Sequence, residues 1–381
     1  MRNLRLPAVF MRGGTSKAVM FKAADLPVDR GAWDAILLQV MGSPDPNGRQ
    51  LDGMGGGVSS LSKVCVVGPP SRPDADVDFT FAQVSVRDAQ VDYSGNCGNM
   101  SSAIGPFAIE EGLTPTPPDG EAVVRIHNTN TRKVIVARFP VVDGALAADG
   151  ELEIDGVAGR SAPIRLEFLD PGGAKTGQLL PTGEACDTLD VPGLGPIAAS
   201  CIDAANPCVF VAAADLGKTG VELPDALEAD AVFLERMEAI RRAASVRMGI
   251  TTDLEAAARV SSVPMVAMVS PPQAAATLSG RQLSVDEADI CVRMLSMRQP
   301  HKATPITGAI CLAIAARIPG SIPARLRRAA DGPTRIGHPS GVTLVDAEVS
   351  GDGAELRALH GAVYRTARRL FEGAVVYRAE G

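Results

Sequence analysis

Apolar and polar positions along this chain change period in a regular order. Residues 4–22 read as an apolar strand, a glycine turn (Arg12-Gly13-Gly14-Thr15-Ser16-Lys17) and a second strand ending in AVMF. Residues 31–41 have helical spacing. A polar, glycine-laden stretch follows, GSPDPNGRQLDGMGGGVSSLSKVCVVG, and its end from Lys63 to Val67 has strand character. FTFAQVSV (79–86), EAVVRIHNT (121–129) and VIVARFPV (134–141) alternate with a period of two, and residues 98–111 between them have helical spacing.

The second half repeats this order. A strand is predicted over 207–216, a long amphipathic helix over 224–247 and a strand over 263–270. A polar entry into an apolar helix spans 301–320, and strands are predicted over 341–349, 361–370 and 373–380. The two apolar helices can be overlaid, Ala103-Ile104 on Ala309-Ile310 and Ser101 on Thr307. The pattern predicts an α+β fold of two similar halves, residues 1–185 and 186–381. The Pro/Gly-rich stretch 169–185 is the boundary, with a cleft between the halves, where sites commonly lie.

Composition narrows the class. Of 381 residues, 46% are hydrophobic, but only 10 Phe, 3 Tyr and 1 Trp are present, so the cores are built from small side chains. The net charge of −7, with no Lys/Arg tract, argues against nucleic acid and anionic membranes as partners. No apolar run approaches the ~20 residues that span a bilayer. The N-terminus has too short an apolar stretch for a signal peptide. The seven cysteines form no CxxC pair, which fits reduced thiols in a cytoplasm. The four histidines form no HxH or HExxH motif, so no metal site is expected.

Candidate chemistry collects at element boundaries. Ser94-Gly95-Asn96 is turn chemistry, and a helix follows directly, which places Cys97 at or near its N-cap. Unpaired N–H groups and the helix dipole favour an anion there. The alternative is a small residue packed under a turn, the expected state of Cys65, Cys201, Cys208, Cys291 and Cys311 in their apolar runs. Lys63 enters an apolar strand from a glycine loop. It is either an edge residue reaching water or a partly desolvated amine. The loop GMGGGVSS has a phosphate-cradle composition but lacks the P-loop pattern, and no dinucleotide fingerprint occurs. Three polar knots suit an anion or simply hold their elements: residues 12–17, His301-Lys302-Ala303-Thr304 and Gly337-His338-Pro339-Ser340-Gly341. Together they point to a small polyanionic ligand.

Six motifs occur in order: MRGGTSK (11–17), GGGVSSLSKV (55–64), SGNCGN (94–99), NPCVFV (206–211), HKATPITGAIC (301–311) and GHPSGV (337–342). In this the chain resembles the PrpF family of methylaconitate isomerases, which also contains 4-oxalomesaconate tautomerases, 3-methylitaconate Δ-isomerases and aconitate isomerases. The resemblance spans nearly the whole chain and implies a diaminopimelate-epimerase-like fold, each domain a β-sheet wrapped around a central helix (98–111 and 304–317). It implies that Lys63 and Cys97 are the acid/base pair and that no cofactor is needed. The carboxylate-binding positions expected on this basis are Arg12, Ser16, Lys17, Ser60, Asn96, Gly98, Asn99, Lys302, Thr307, Ser340 and Gly341. The epimerases carry a cysteine at the start of each central helix, whereas here the second begins at Ala303-Thr304. A two-thiol amino-acid epimerase is therefore disfavoured.

The implied activity is a C=C shift in an unsaturated di- or tricarboxylate, first 2-methylaconitate in propionate breakdown by a methylcitrate route. 4-Oxalomesaconate, 3-methylitaconate and aconitate follow as alternatives. A non-enzymatic alternative is an accessory protein to an aconitase-like dehydratase. A symmetric dimer is the base-rate expectation.

Overall fold

The structure, a computed structural model, describes residues 2–93, 95–115, 117–328 and 332–379. The chain forms two compact units: Met1–Glu167 with Tyr364–Gly381, and Phe168–Val363.

In unit 1, β1 (Arg2–Gly13) and β2 (Ser16–Lys22) form a hairpin. Helix α1 (Trp33–Met41) precedes β3 (Lys63–Gly68), which lies parallel to β2, and β4 (Val77–Val84) returns antiparallel. Helix α2 (Gly98–Glu110) then leads to the strand Gly120–Asn128, parallel to β4, and Lys133–Val142 pairs antiparallel with it. Parallel neighbours cannot be joined by a tight turn, so each parallel step carries a helical crossover. The last strand, Ala367–Ala379, returns to run antiparallel along β1.

The helices take opposite faces of this sheet. Val64 and Val66 join a core with Phe21, Trp33, Leu37 and Val84 around α1. By the period of two, Lys63, Cys65 and Val67 face the other way, the side taken by α2. Burial on both faces explains why KVCVV reads as a continuous apolar run rather than an alternation. Helix α2 packs against β1, β2, β3, both strands between 120 and 142, and the last strand. It is buried without a break from Met100 to Ile109.

Unit 2 repeats the plan. The strands Asp187–Val191, Gly195–Ala204 and Asn206–Ala212 pair antiparallel in turn. Helices α3 (Pro224–Glu228), α4 (Ala231–Arg247) and α5 (Leu254–Arg259) lead to Met265–Ser270, parallel to Asn206–Ala212. Ile290–Ser296 returns antiparallel. Helices α6 (Ile306–Ala315) and α7 (Ile322–Leu326) lead to Thr334–His338, parallel to Ile290–Ser296, and Gly341–Ser350 closes antiparallel. Read from Ala367–Ala379 in unit 1 and from Asp187–Val191 in unit 2, the pairings run antiparallel, antiparallel, parallel, antiparallel, parallel, antiparallel in both. Helix α6 is the counterpart of α2 and is buried from Gly308 to Ala315.

Several boundaries differ from those expected. The units divide at 167/168 rather than 185/186, and the chain's end belongs to unit 1 because it pairs along the whole of β1. The helix expected over 224–247 breaks before Ala231. There Asp230 caps α4 by accepting from Phe233 N at 2.9 Å and takes Lys218 Nζ at 2.7 Å. The strand expected over 207–216 ends at Ala212 and passes into a 3₁₀ turn. The strand expected over 361–370 is two, Arg357–Arg365 and Ala367–Ala379, interrupted at Thr366, whose carbonyl accepts Gly14 N at 2.9 Å. Helix α6 starts at Ile306, because Pro305 is held extended at its N-cap.

Each central helix has a glycine against the sheet, and the two predict different tolerances. A Cβ at Gly105 would lie 2.6 Å from Phe139 Cε1 and 3.2 Å from Ala137 Cβ. At Gly308 it would instead meet the thioether ends of Met294 and Met265, unbranched side chains that can shift by rotation. Alanine gains about 1 kcal/mol of helix propensity, and overpacking a rigid contact costs about 1–3 kcal/mol. Gly105→Ala should therefore lower the denaturation midpoint at constant m-value, while Gly308→Ala should leave it near the parent's. Equal midpoints for the two variants would contradict this packing.

Candidate functional site

Cys97 is the N-cap of α2, and its Sγ accepts from Met100 N at 3.5 Å. Ser94, the first residue of the expected turn, lies outside the described residues. The residues around Cys97 are tied to the scaffold by side-chain amides. Asn96 Oδ1 accepts from Asn128 Nδ2 at 3.1 Å and from Ser101 Oγ at 3.3 Å. Asn128 is fully buried and accepts in turn from Thr131 N at 2.8 Å. Gly98 is the first residue of the helix.

Asn99 joins α2 to the glycine hairpin. Its Nδ2 donates to Thr15 Oγ1 at 3.1 Å, and its Oδ1 accepts from Arg365 Nε at 3.3 Å. A Cβ on Gly14, whose φ is +51°, would fall 2.3 Å from Asn99 Oδ1, and one on Gly13 would fall 2.7 Å from the Asn99 carbonyl oxygen. Glycine is required here by the closeness of the helix start as well as by the turn. Arg12 Nη1 donates to Gly14 O, Thr366 O and Thr366 Oγ1, all at 3.0 Å, so it braces the turn. Burial, and after it Arg368, lowers its pKa. Ser16 is buried at the start of β2, and Lys17 lies over the Phe10 ring at 5.5 Å.

Lys63 is 7% exposed at the start of β3. Its Nζ donates to Gln83 Oε1 across the β3–β4 ladder and sits 5.0 Å from the centroid of Phe81. Gln83 is itself aimed by donating to Ser62 O at 2.8 Å and Ser59 O at 3.0 Å. The glycine loop before Lys63 is wrapped around Gln50, which is fully buried. Gln50 Nε2 donates to Ser62 Oγ at 2.7 Å and Ser43 Oγ at 2.8 Å, and its Oε1 accepts from Gly57 N at 3.0 Å. A Cβ at Gly55 would strike the Gln50 amide at 2.2 Å. These glycines make room for an internal side chain, not for a phosphate. Ser60 lies half-buried in the 3₁₀ turn that ends the loop.

Cys65, two residues along β3 and on the same face as Lys63, links the two candidates. Burial pushes its thiol well above the ordinary value, Cys97 adds to the rise, and Lys63 opposes it. Thiol and amine thus both act electrostatically on one buried residue. Among the described residues, the ion pairs of unit 1 lie elsewhere, as in Lys22–Glu111 and Arg369–Glu110. None of Arg12, Lys17, Lys63 or Arg365 takes part in one.

In unit 2, Ser340 Oγ donates to the Lys302 carbonyl at 2.7 Å, and Ser340 N donates to His338 Nδ1 at 3.2 Å. Gly341 opens the following strand, and Thr307 stands in the first turn of α6. The cap of α6 is Pro305, and Cys311 is buried inside the helix with its Sγ donating to Ile202 O at 3.5 Å. No thiol stands where unit 1 has Cys97.

A family model described as PrpF protein matches residues 3–378. The chain belongs to the PrpF family. It is 44% identical to the 3-methylitaconate isomerase of Eubacterium barkeri, covering 98% of this chain and 97% of that one. It is 40% identical to the 2-methyl-aconitate isomerase of Shewanella oneidensis, covering 98% and 96%. Among solved structures, the crystal structure of methylitaconate-delta-isomerase superposes with a TM-score of 0.91 at 42% identity, over 99% of this chain and 96% of that one. This PrpF-family chain is thus an isomerase. Among its described residues, no helix is long and apolar enough to cross a membrane.

Gln50, Gln83, Asn128 and Arg365 did not stand out in the sequence of this PrpF-family protein. The first three act through contacts distant in sequence. Arg365 lies in a stretch, GAVYRTARRL, that reads as ordinary strand surface. Only Gln83 had a local signal, alternating with Phe81 on one face of a strand.

Two predictions follow from these contacts. Gln83→Met keeps the volume but removes the acceptor for Lys63. It should lower turnover by about tenfold or more with Tm nearly unchanged, and full activity would mean that Gln83 does not position the amine. His301 donates to or accepts from Ser296 Oγ at 2.8 Å, and burial holds its pKa below the ordinary 6.5. The unfolded chain therefore takes up a proton near pH 6.5 that the folded chain binds only at lower pH, so stability falls as pH drops through that window. His301→Gln should show a shallower fall in Tm between about pH 7 and about pH 5, and an identical slope would assign the loss to other groups.

Proposed function

We propose that this chain moves the C=C bond of a small unsaturated di- or tricarboxylate. One group removes an allylic proton, the electron pair spreads over the allyl system and its carboxylate, and a proton returns at the far carbon. The step is redox-neutral and balances without a cofactor. Cys97 and Lys63 are the two proton-transfer groups. The observation that supports this assignment is that Lys63 opens β3 on the face opposite the α1 core, and that Cys97 caps α2, the helix packed against β3. The dienolate-like intermediate gathers negative charge, which N–H groups at the start of α2 and unpaired cations stabilise. Ser16, Lys17, Asn96, Gly98 and Asn99 of unit 1 are the proposed carboxylate contacts, and Ser60 remains with them. Arg12 serves them by holding the turn. Within unit 2, Lys302, Thr307, Ser340 and Gly341 are proposed as anion-binding positions of that unit.

The first-choice substrate is 2-methylaconitate, with the place in propionate breakdown that goes with it. The motif NPCVFV, which resembles the methylaconitate branch of the family more than the tautomerase branch, lies in a strand whose Pro207 and Cys208 are buried, so it bears on the core of unit 2. The similarity to an enzyme named for 3-methylitaconate supports that compound as the second reading. Oxalomesaconate and aconitate present the same carboxylates and complete the set to be tested.

Purified chain should be followed by proton NMR in D₂O with each of the four compounds, with EDTA present. Rapid isomerisation of one, with deuterium uptake at the shifted carbon, is expected and names the substrate. Cys97→Ala and Lys63→Ala should each lose about 10²–10⁴-fold in turnover while remaining folded. Undiminished turnover in either folded variant would remove that residue from the pair. No reaction with any of the four would favour the accessory role.

A further inference from the structure

The cations near the start of α2 differ in what occupies them. Arg12 has one guanidinium nitrogen committed to three backbone and hydroxyl oxygens. Lys63 is committed to Gln83. Arg365 is held more loosely. Its Nε makes a long bond to the neutral Asn99 Oδ1 at 3.3 Å, and its Nη1 donates to the neighbouring Tyr364 carbonyl at 2.8 Å. Among the described residues its Nη2 has no acceptor, and the guanidinium has no carboxylate partner.

The surroundings make this costly. Burial pushes the Arg365 pKa down to about 10, which leaves the group cationic at neutral pH but largely stripped of water. The side chain nevertheless keeps a partial opening to solvent. That combination describes a cation at the bottom of a recess rather than in a core. An unpaired charge in such a place is stabilised when an anion arrives and makes up the lost hydration. A guanidinium with Nη2 unused and a second hydrogen left on Nη1 presents a two-pronged edge that matches a carboxylate.

Granting the carboxylate chemistry proposed above, we propose that Arg365 binds one carboxylate of the substrate. Asn99, two residues past Cys97 on the first turn of α2, holds the guanidinium in place by its Nε edge. Arg365 thereby ties recognition of the charged group to the position of the thiol. It takes no part in moving protons.

The test uses tricarballylate, a saturated tricarboxylate that cannot isomerise, with its monoamides, and the full-length chain. Binding is measured by calorimetry for the parent, Arg365→Gln and Arg365→Lys, alongside KM and kcat for whichever substrate the parent turns over. Arg365→Gln should weaken tricarballylate binding and raise KM by about 10- to 100-fold, with kcat changed much less. Arg365→Lys should fall between, because it restores charge without the fork. One monoamide should bind the parent as weakly as Arg365→Gln binds the triacid, and that variant should no longer distinguish the two ligands. If Arg365→Gln does not fold, Arg365→Lys and the monoamides on the parent carry the same comparison.

Unchanged affinity and KM in a folded variant, or a parent that does not bind tricarballylate, would overturn the assignment. A parent that binds tricarballylate through Arg365 but isomerises none of the four compounds would leave this site standing and remove the proposed reaction instead.

Discussion

A helix enclosed by strands has to leave its first N–H groups somewhere, because no preceding turn can accept from them. In unit 1 that constraint falls at Cys97, the cap of α2. The sulfur takes one of these donors over a long contact, a weak substitute for an oxygen cap. Everything nearby is arranged around this incompletely satisfied end. Asn128 fixes the residue before the cap, Asn99 fixes the first turn, and the hairpin glycines let the turn come close enough to be fixed. The rigid shell comes from amides and backbone, which leaves thiol, amine and guanidinium unencumbered by carboxylates.

The same plan is built twice, but the proposed acid/base pair occurs in one copy of it. In unit 2 the strand that follows the first helical crossover starts at Met265, where unit 1 has Lys63, and the central helix is capped by Pro305, where unit 1 has Cys97. A proline cap has no side-chain acceptor and no acid/base group. Cys311 sits nearly two turns further on and is buried in packing. The two units thus share a scaffold, whose pairing order is set by backbone hydrogen bonds, while the side chains at the strand and helix starts differ.

How much of this was legible depended on whether the signal was local. The cap at Cys97 was legible because turn residues and an apolar helix meet there. Lys63 was visible as an oddity, but its side of the sheet is decided by α1 packing on Val64 and Val66, which no short window contains. The glycine loop misled through its composition, since its filling is the distant amide of Gln50. The break at Asp230 was readable in principle as a capping residue inside a helical pattern. The break at Thr366 was not, because its cause is the hairpin at Gly14. Strands such as Asp187–Val191 and Ile290–Ser296 were passed over in stretches with little chemistry to draw attention.

The return of the last strand to β1 has a consequence for the chain's birth. During synthesis all of Phe168–Val363 is added to the chain before the strand that completes the first unit exists. Most of the inserted unit can begin to fold while β1 still lacks its long partner. Until then the open edge of β1 must be kept from pairing with other chains. The unit that begins first is therefore the last to be finished, and the proposed acid/base pair belongs to it.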